Sequence, residues 1–275
     1  ITPRFKRDFP QRAEAGLRPM YRAMASAGLA LPSRVAWFDR TLLQLAWQRT
    51  FEERFQRNLD EICTDLTVPD GAGCPVNLKL VPASSRAAER NRSDAFSLRI
   101  EAREANQSGT ASVVLGLDAR HDIVNSNAHR TDLTTGAVER QPARYPDGSS
   151  LSDAGAFVHG RLALHPEVQL YAGGRASAFH LAIEERTGDA PSPAFSETLI
   201  DSAGSLGIRW ELAEGLAWST NVARGVRSPN VEDFAALGPR AQGRFVVPNS
   251  EIEPEHSYTA DAGVKLMRGA SSLQT

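Results

Sequence analysis

Residues 96–103 read FSLRIEAR, and the alternation in this stretch decides the fold. Leu98 and Ile100 fall on one face of an extended strand, while Arg99 and Glu101 fall on the other. A strand face that carries Arg and Glu is too polar for a packed protein core. It suits a water-filled interior with lipid against the opposite face. The stretch therefore predicts a strand of a transmembrane β-barrel.

Similar alternating runs recur along the chain, each close to the 9–11 residues with which a tilted strand crosses a bilayer. They occupy residues 113–122, 154–164, 168–175, 205–212, 216–224 and 256–266. Alternation gives about nine strands in all, whereas a plugged barrel has about 22. The predicted fold is all-β and forms part of a large antiparallel transmembrane barrel.

The connections between these runs alternate between short and long. Tight turns are expected at 107–110, 165–166 and 213–215, and long polar stretches at 58–92, 125–152, 184–201 and 228–255. An outer-membrane barrel sorts its connections in this way, with short periplasmic turns and long extracellular loops. The pattern therefore favours a barrel in the bacterial outer membrane.

Residues 34–58 leave two readings open. Leu43, Trp47, Phe51 and Phe55 are spaced by four residues, which fits a helical stripe as well as one face of a strand. We favour a strand, because the segment leads into a long loop in register with the downstream pattern. The alternative is a true helix in a soluble α+β enzyme.

Composition narrows the functional classes. Lys+Arg 31 and Asp+Glu 33 give a formal net charge of -2, which argues against a nucleic-acid binder. No apolar run approaches the length of a membrane-spanning helix. The six histidines form no metal-ligand pattern, and nucleophile-elbow, P-loop, dinucleotide-binding and Cys-x-x-Cys motifs are missing from the sequence. We therefore expect no enzyme activity, no catalytic residues, no metal and no cofactor.

Cys63 and Cys74 are the two cysteines and flank a Pro-Asp-Gly turn in the first long stretch. In an oxidising compartment a disulfide between them is plausible. The alternative is a pair of unrelated thiols. We favour the disulfide if this loop is extracellular.

A strand end at residues 221–234 carries a family signature. The stretch reads NVARGVRSPNVEDF, and it resembles the "Gly-Phe-Arg-x-Pro" element and short acidic helix of TonB-dependent outer-membrane receptors. Gly225, Arg227, Pro229 and Asn230 match, with Val226 in place of the usual aromatic residue. The letters SPNVEDF have the character of a helix start, and Pro229 interrupts strand pairing.

A second element of the same family follows at residues 246–255, VVPNSEIEPE. Pro248, Asn249, Pro254 and Glu255 match the family's "Asn-Pro-x-Leu-x-Pro-Glu" element before the next strand. A proline at a strand start is tolerated, so we interpret both elements as architectural. Residues 144–148, RYPDG, resemble the family's passage from a loop into a strand.

The resemblance implies an outer-membrane receptor that captures a scarce nutrient such as a ferric siderophore. Its partners would be outer-membrane lipid, the small-molecule nutrient and a TonB-type energy-coupling protein. Coupling acts through a plug domain, which we expect to lie upstream of this chain, so that 1–275 is an internal piece of the barrel. The histidine usual in the haem-transporting branch is missing from 231–247, which argues against haem.

Two rivals stay open at this point. A passive porin-like or adhesin barrel shows the same alternation without a plug. A soluble α+β enzyme would instead fold residues 34–58 as a helix. Ligand-contacting residues cannot be read from the sequence, because the loops that decide ligand identity diverge freely.

Overall fold

A computed structural model describes residues 12–32, 38–63, 78–105, 109–185, 193–236, 238–239, 245–268 and 271–274. Its main feature is one antiparallel sheet in which successive long strands pair with each other. The ten strands along its path are β1 (Arg12–Pro32), β2 (Arg40–Cys63), β4 (Ser85–Ala105), β5 (Ala111–Asp132), β7 (Ser149–His165), β8 (Val168–Ile183), β9 (Phe195–Ala213), β10 (Leu216–Arg227), β13 (Glu255–Arg268) and β14 (Ser271–Gln274).

Shorter elements complete the described chain. Strand β3 (Leu78–Pro82) pairs with β2, and β6 (Val138–Gln141) pairs with β5, so the sheet contains twelve described strands where alternation predicts about nine. Helix α1 (Val231–Ala235) follows β10, and β11 (Gly238–Pro239) pairs with β12 (Phe245–Val246) apart from the sheet. Within the described residues, no helix has both the length and the apolar character needed to cross a membrane.

Several strands are about twice as long as the alternating runs. β2 has 24 residues and β5 has 22, so both continue through segments that we expected to be loops. The long connections expected at 58–92, 125–152 and 184–201 are therefore much shorter than predicted. In the extensions at residues 85–92 and 125–132, polar side chains predominate on both faces of the strand, and so these stretches carry no clear alternation.

The short turns lie where the sequence predicts them. β7 and β8 are joined across residues 166–167, and β9 and β10 across residues 214–215. Gly215 adopts a left-handed φ of 76°, which a residue with a side chain rarely tolerates. The turn expected at 107–110 lies partly outside the described residues, although β4 and β5 end and begin on either side of it.

Within the segment 34–58, residues 40–58 belong to strand β2 and do not form a helix, and residues 34–37 lie outside the described residues. β2 pairs over most of its length with β1 on one side and with β4 on the other, with Trp47 opposite both Ala25 and Phe96. The spacing of four that suggested a helix is a multiple of the strand period of two. The soluble-enzyme alternative loses its main support.

Strand register divides the sheet into two chemically different faces. Leu45, Leu98 and Ala119 lie side by side across three strands, and Leu206 lies beside Val222 farther along the sheet. Many large apolar side chains on this face are exposed, including Leu115, Leu117, Leu206 and Trp210 at 40%, 59%, 51% and 46%. We call this the apolar face, and its exposure indicates an apolar surrounding rather than a protein core.

The opposite, polar face carries ion pairs packed against small residues. Nη1 of Arg175 lies 2.6 Å from Asp118, and Nη2 lies 3.4 Å from Asp153. Gly155 leaves space for this guanidinium, because a Cβ at Gly155 would lie 2.4 Å from Nη2. Charged side chains on the polar face therefore form ion pairs with one another. They lie at the same height along the strands as the apolar residues of the opposite face.

Candidate functional site

Helix α1 folds over the polar face at the end of the sheet that carries the long connections. Val231 and Phe234 are buried against Leu181 and Ile183 of β8. The Phe234 ring also lies 5.8 Å from the ring of Phe195. This small cluster is the main buried apolar core of the described chain, and it fixes the helix above the sheet.

The local sequence explains why a helix forms at this point. Pro229 is buried just beyond the last residue of β10, where it cannot extend the strand pairing. The Asn230 side chain then accepts hydrogen bonds from the backbone N–H groups of Glu232 and Asp233, while the Asp233 carboxylate accepts from the Asn230 N–H. This reciprocal capping box confirms the predicted helix start.

A cavity of about 300 Å³ lies beside α1 on the polar face. It is open between the helix and strands β2, β4 and β5. Its lining mixes acceptors, donors and apolar groups, including Thr50, Glu52, Asn91, Ser93, Asp122, Val124, Tyr145, Leu151, Asn230, Val231 and Glu232. We call it the α1 pocket.

The three carboxylates of the α1 pocket are each held by an arginine. Arg54 lies 2.8 Å from Glu52, and Arg120 lies 2.8 Å from Asp122. Arg144 lies 2.7 Å from Glu232 and so ties the helix to the β6–β7 connection. Because each carboxylate is paired with an arginine, the net charge of the pocket is close to zero. A ligand would therefore meet oriented hydrogen-bonding groups rather than unpaired negative charges.

Two further polar groups shape the pocket wall. Asn91 is buried, donates to Glu52 over 3.3 Å and accepts from the Ser126 hydroxyl over 2.5 Å. Burial raises the pKa of the Tyr145 phenol to about 12, so this hydroxyl stays protonated over the physiological range. Tyr145 and Asn91 are therefore stable hydrogen-bonding groups at the pocket.

The first family element meets α1 through Arg227. Its guanidinium lies 2.8 Å from Asp233 in the helix and 2.9 Å from Glu255 at the start of β13. Gly225 pairs with Ser257, whose hydroxyl would lie 2.7 Å from a Cβ at Gly225. The structure thus brings Gly225, Arg227 and Asn230 to the base of the helix.

The second family element lies beside the first. The Asn249 N–H donates to the Phe234 carbonyl over 2.8 Å, and Pro254 immediately precedes β13. Glu255 pairs with Arg227 across the two strands, and Pro248 is half-buried. Cys74 and the Cys63 side chain lie outside the described residues, so the disulfide stays a prediction.

The sequence did not identify the α1 pocket. Its lining comes from β2, β4, β5, the β6–β7 connection, β7 and the start of α1, most of which are far apart along the chain. The local signals were RYPDG at 144–148, which places Tyr145 in the pocket and leads into β7, and SPNVEDF, which predicts the start of α1. Strand register brings the other residues together, and that register depends on strand extensions that the alternation did not reveal.

Comparison with known proteins identifies the barrel. Residues 8–275 match the family model for the TonB dependent receptor-like β-barrel. Among curated protein sequences, none matches this chain. Proteins of the matching family are outer-membrane transporters and not enzymes.

Solved structures show the same fold at low sequence identity. The copper transporter OprC superposes with a TM-score of 0.67 at 14% identity, over 93% of this chain and 38% of its own. Pyoverdine-bound FpvA of P. aeruginosa gives 0.55 at 12%, over 90% and 30%. The ferric yersiniabactin uptake receptor FyuA from Yersinia pestis superposes with a TM-score of 0.50 at 13% identity, over 94% of this chain and 36% of its own.

This chain thus spans 30–38% of the length of these structures, and its sheet corresponds to part of their barrels. Long strands, tight turns at one end and long connections at the other agree with the family match over nearly the whole sequence. The chain therefore belongs to the TonB-dependent receptor β-barrel family of the bacterial outer membrane.

Proposed function

We propose that this chain forms the ligand-facing wall of a receptor for energy-coupled uptake of a metal chelate, of which ferric siderophores are the leading class. The observation that carries the proposal is the α1 pocket. It lies on the face that lines the barrel lumen, at the end where ligands arrive from outside. A bound ligand would contact both the sheet and the helix.

The pocket chemistry fits part of an organic chelate better than a simple ion. Tyr145 and Asn91 offer neutral hydrogen bonds, and Val124, Leu151 and Val231 offer apolar contact. Known small-molecule sites combine an apolar lining with a few placed polar groups, and 300 Å³ is at the small end of their range. The pocket would therefore hold one portion of a larger ligand.

The ligands of the similar structures support the same class. FyuA takes up ferric yersiniabactin, and FpvA binds pyoverdine with iron. OprC transports copper, so a copper complex is included as a test ligand. Coupling to a TonB-type protein through a plug domain outside 1–275 is part of the proposal.

The family-element residues serve architecture in this proposal. Arg227 joins α1 to the start of β13 through Asp233 and Glu255, and Asn230 caps the helix. Their task is to hold α1 against the polar face and so keep the α1 pocket formed. Arg227 is not proposed to contact the ligand.

Ligand binding to the complete receptor tests the pocket. A panel of ferric siderophores, a copper complex and haem is titrated against receptor in detergent, with binding followed by fluorescence quenching. Tyr145→Ala is expected to raise the dissociation constant of the chelate about tenfold, because one buried hydrogen bond and one ring contact are lost. Tyr258→Ala, on the apolar face and 76% exposed, is the matched control and should bind as the parent does.

Uptake in cells separates active from passive transport. Accumulation of the radiolabelled chelate should saturate and should stop when the energy-coupling protein is deleted. Uptake that persists without that protein would support the passive barrel instead. Equal binding by the Tyr145→Ala and parent receptors would show that the ligand does not bind in the α1 pocket.

A further inference from the structure

Three arginines lie among aromatic residues on the apolar face, beyond the pair Trp47 and Phe96. Cross-strand pairs between β2 and β4 run in sequence as Trp47 with Phe96, Arg49 with Asp94, Phe51 with Arg92 and Glu53 with Arg90. Partners in this series share a face with Leu45 and Leu98, since side chains alternate with a period of two. We call Arg49, Arg90 and Arg92 the outer arginine cluster.

Asp94 organises two of these arginines. It is buried at 7% exposure and accepts from Trp47 Nε1 over 3.2 Å. Nε of Arg49 lies 2.7 Å from one of its oxygens, and Nε of Arg92 lies 3.2 Å from the other. One carboxylate thus positions two guanidinium groups side by side and neutralises only one of them.

The third arginine is held in the same manner. Nε of Arg90 lies 2.6 Å from Glu53. All three arginines therefore use Nε internally, and no described residue hydrogen-bonds their terminal nitrogens. Their side chains are 35%, 53% and 45% exposed in the order Arg49, Arg90 and Arg92, so these nitrogens can reach an external anion.

The position of the cluster indicates what that anion is. Aromatic residues such as Trp47 mark the boundary between hydrocarbon and headgroups in membrane proteins. Arg49 lies two residues beyond Trp47, or about 7 Å along the strand, which is the level of the headgroups. Planar guanidinium forks match phosphate oxygens, and the cluster carries a net charge of one with its two acids counted.

A groove runs directly below the cluster on the same face. It has a volume of about 820 Å³ and a mostly apolar lining that includes Ala25, Ala27, Leu45, Trp47, Phe96 and Leu98, and it reaches the polar side chains of His121, Ser152 and His180 farther across the sheet. Small alanines beside bulky side chains make a trough that an acyl chain can fill. The groove favours a lipid over a free anion, because one molecule would then satisfy both the arginines and the apolar trough.

We propose that the outer arginine cluster binds the phosphate of a lipid headgroup in the outer leaflet, with an acyl chain of that lipid in the groove below. The site lies on the surface facing away from the lumen. It does not depend on which nutrient the receptor carries. Failure of the α1 pocket to bind a chelate would leave this proposal untouched.

Lipid retention by the complete receptor tests the proposal. The receptor is equilibrated in mixed micelles with diphosphorylated lipid A or with the same lipid after enzymatic removal of its phosphates, and bound lipid is counted by native mass spectrometry. We expect the phosphorylated lipid to be retained at least about tenfold better. Equal retention of the two lipids would overturn the phosphate assignment.

Variants then locate the site. The double variant Arg49→Gln with Arg92→Gln should retain about tenfold less phosphorylated lipid than the parent. Arg92→Gln alone should retain about threefold less. The control double variant Arg22→Gln with Arg103→Gln removes two charges from the polar face and should retain the parent amount. Heat-modifiable gel mobility confirms that each variant is folded.

Two results would contradict the proposal. Undiminished retention by the folded Arg49→Gln, Arg92→Gln variant would place the lipid elsewhere. Full displacement of lipid A by excess inorganic phosphate would show a site for free phosphate, because a lipid held also through its acyl chain should resist that competition.

Discussion

Strand β5 has two halves that differ in chemistry. In its first half, Leu115 and Leu117 on one face alternate with Asp118 and Arg120 on the other. In its second half, residues 125–132 are mostly polar on both faces, yet the strand continues without a register shift against β4. Alternation therefore reports where the two faces have different surroundings, and not where a strand begins or ends.

The same difference separates the whole sheet into two zones. The zone near the short turns spans the membrane, with lipid on one face and the lumen on the other. The zone near the long connections stands outside the bilayer with water on both faces, and α1 covers its inner face. The residue pattern of the first zone is determined by the membrane, whereas the structure of the second zone depends on strand pairing and local packing.

The largest expected effect comes from moving one charge between the zones. Leu206 and Ser196 lie on the same face of β9, ten residues apart. Leu206→Arg should destabilise the folded receptor in lipid vesicles by about 2–4 kcal/mol, the cost of arginine on a lipid-facing strand near the midplane. Ser196→Arg should change the unfolding free energy by less than about 0.5 kcal/mol. Equal losses would show that β9 is not divided in this way.

Close packing on the lumen face of the membrane zone gives the next effect. A Cβ at Gly116 would lie 2.1 Å from the Phe157 ring, which is in turn covered by the Arg99 guanidinium. Gly116→Ala should cost about 1–3 kcal/mol in the same unfolding measurement, because the ring must move. Gly174 lies on the apolar face with no atom within 4 Å of its added Cβ, so Gly174→Ala is the control for the substitution itself and should be tolerated.

In the outer zone, the stability of α1 is local. Asn230→Ala removes the acceptor that caps Glu232 and Asp233, at a cost of about 1 kcal/mol. Hydrogen exchange at residues 231–235 should speed up about fivefold, while β5 exchange stays unchanged. Asn230→Asp keeps an acceptor and should exchange like the parent. Faster exchange throughout β5 would show that α1 supports the whole sheet.

The smallest effect is a pH response of the outer zone. Burial raises the pKa of Tyr145 to about 12, above its ordinary value of 10, so the folded state favours the protonated phenol. The stabilisation is complete below about pH 10 and is lost as the pH rises towards 12. The parent should lose more stability over that interval than Tyr145→Phe. Identical alkaline profiles for the two proteins would place Tyr145 in water.

Sequence reasoning succeeded where chemistry is local. FSLRIEAR predicted a membrane strand, and SPNVEDF predicted the start of α1 through residues adjacent in the chain. Strand β1 escaped detection because Pro19, Met20 and Tyr21 break a clean alternation, although β1 pairs with most of β2. The α1 pocket was not predicted, because its walls meet only through the register of four strands, a connection and the helix.

The central claim is that one strand carries a lipid face and a lumen face. It is tested most directly by spin labels at Leu115→Cys and Arg120→Cys in β5, in complete receptor lacking Cys63 and Cys74 and reconstituted in lipid vesicles. The label at 115 should be accessible to a lipid-soluble quencher and protected from a water-soluble one, and the label at 120 should show the reverse. Equal accessibility of the two labels to both quenchers would contradict the assignment of the faces.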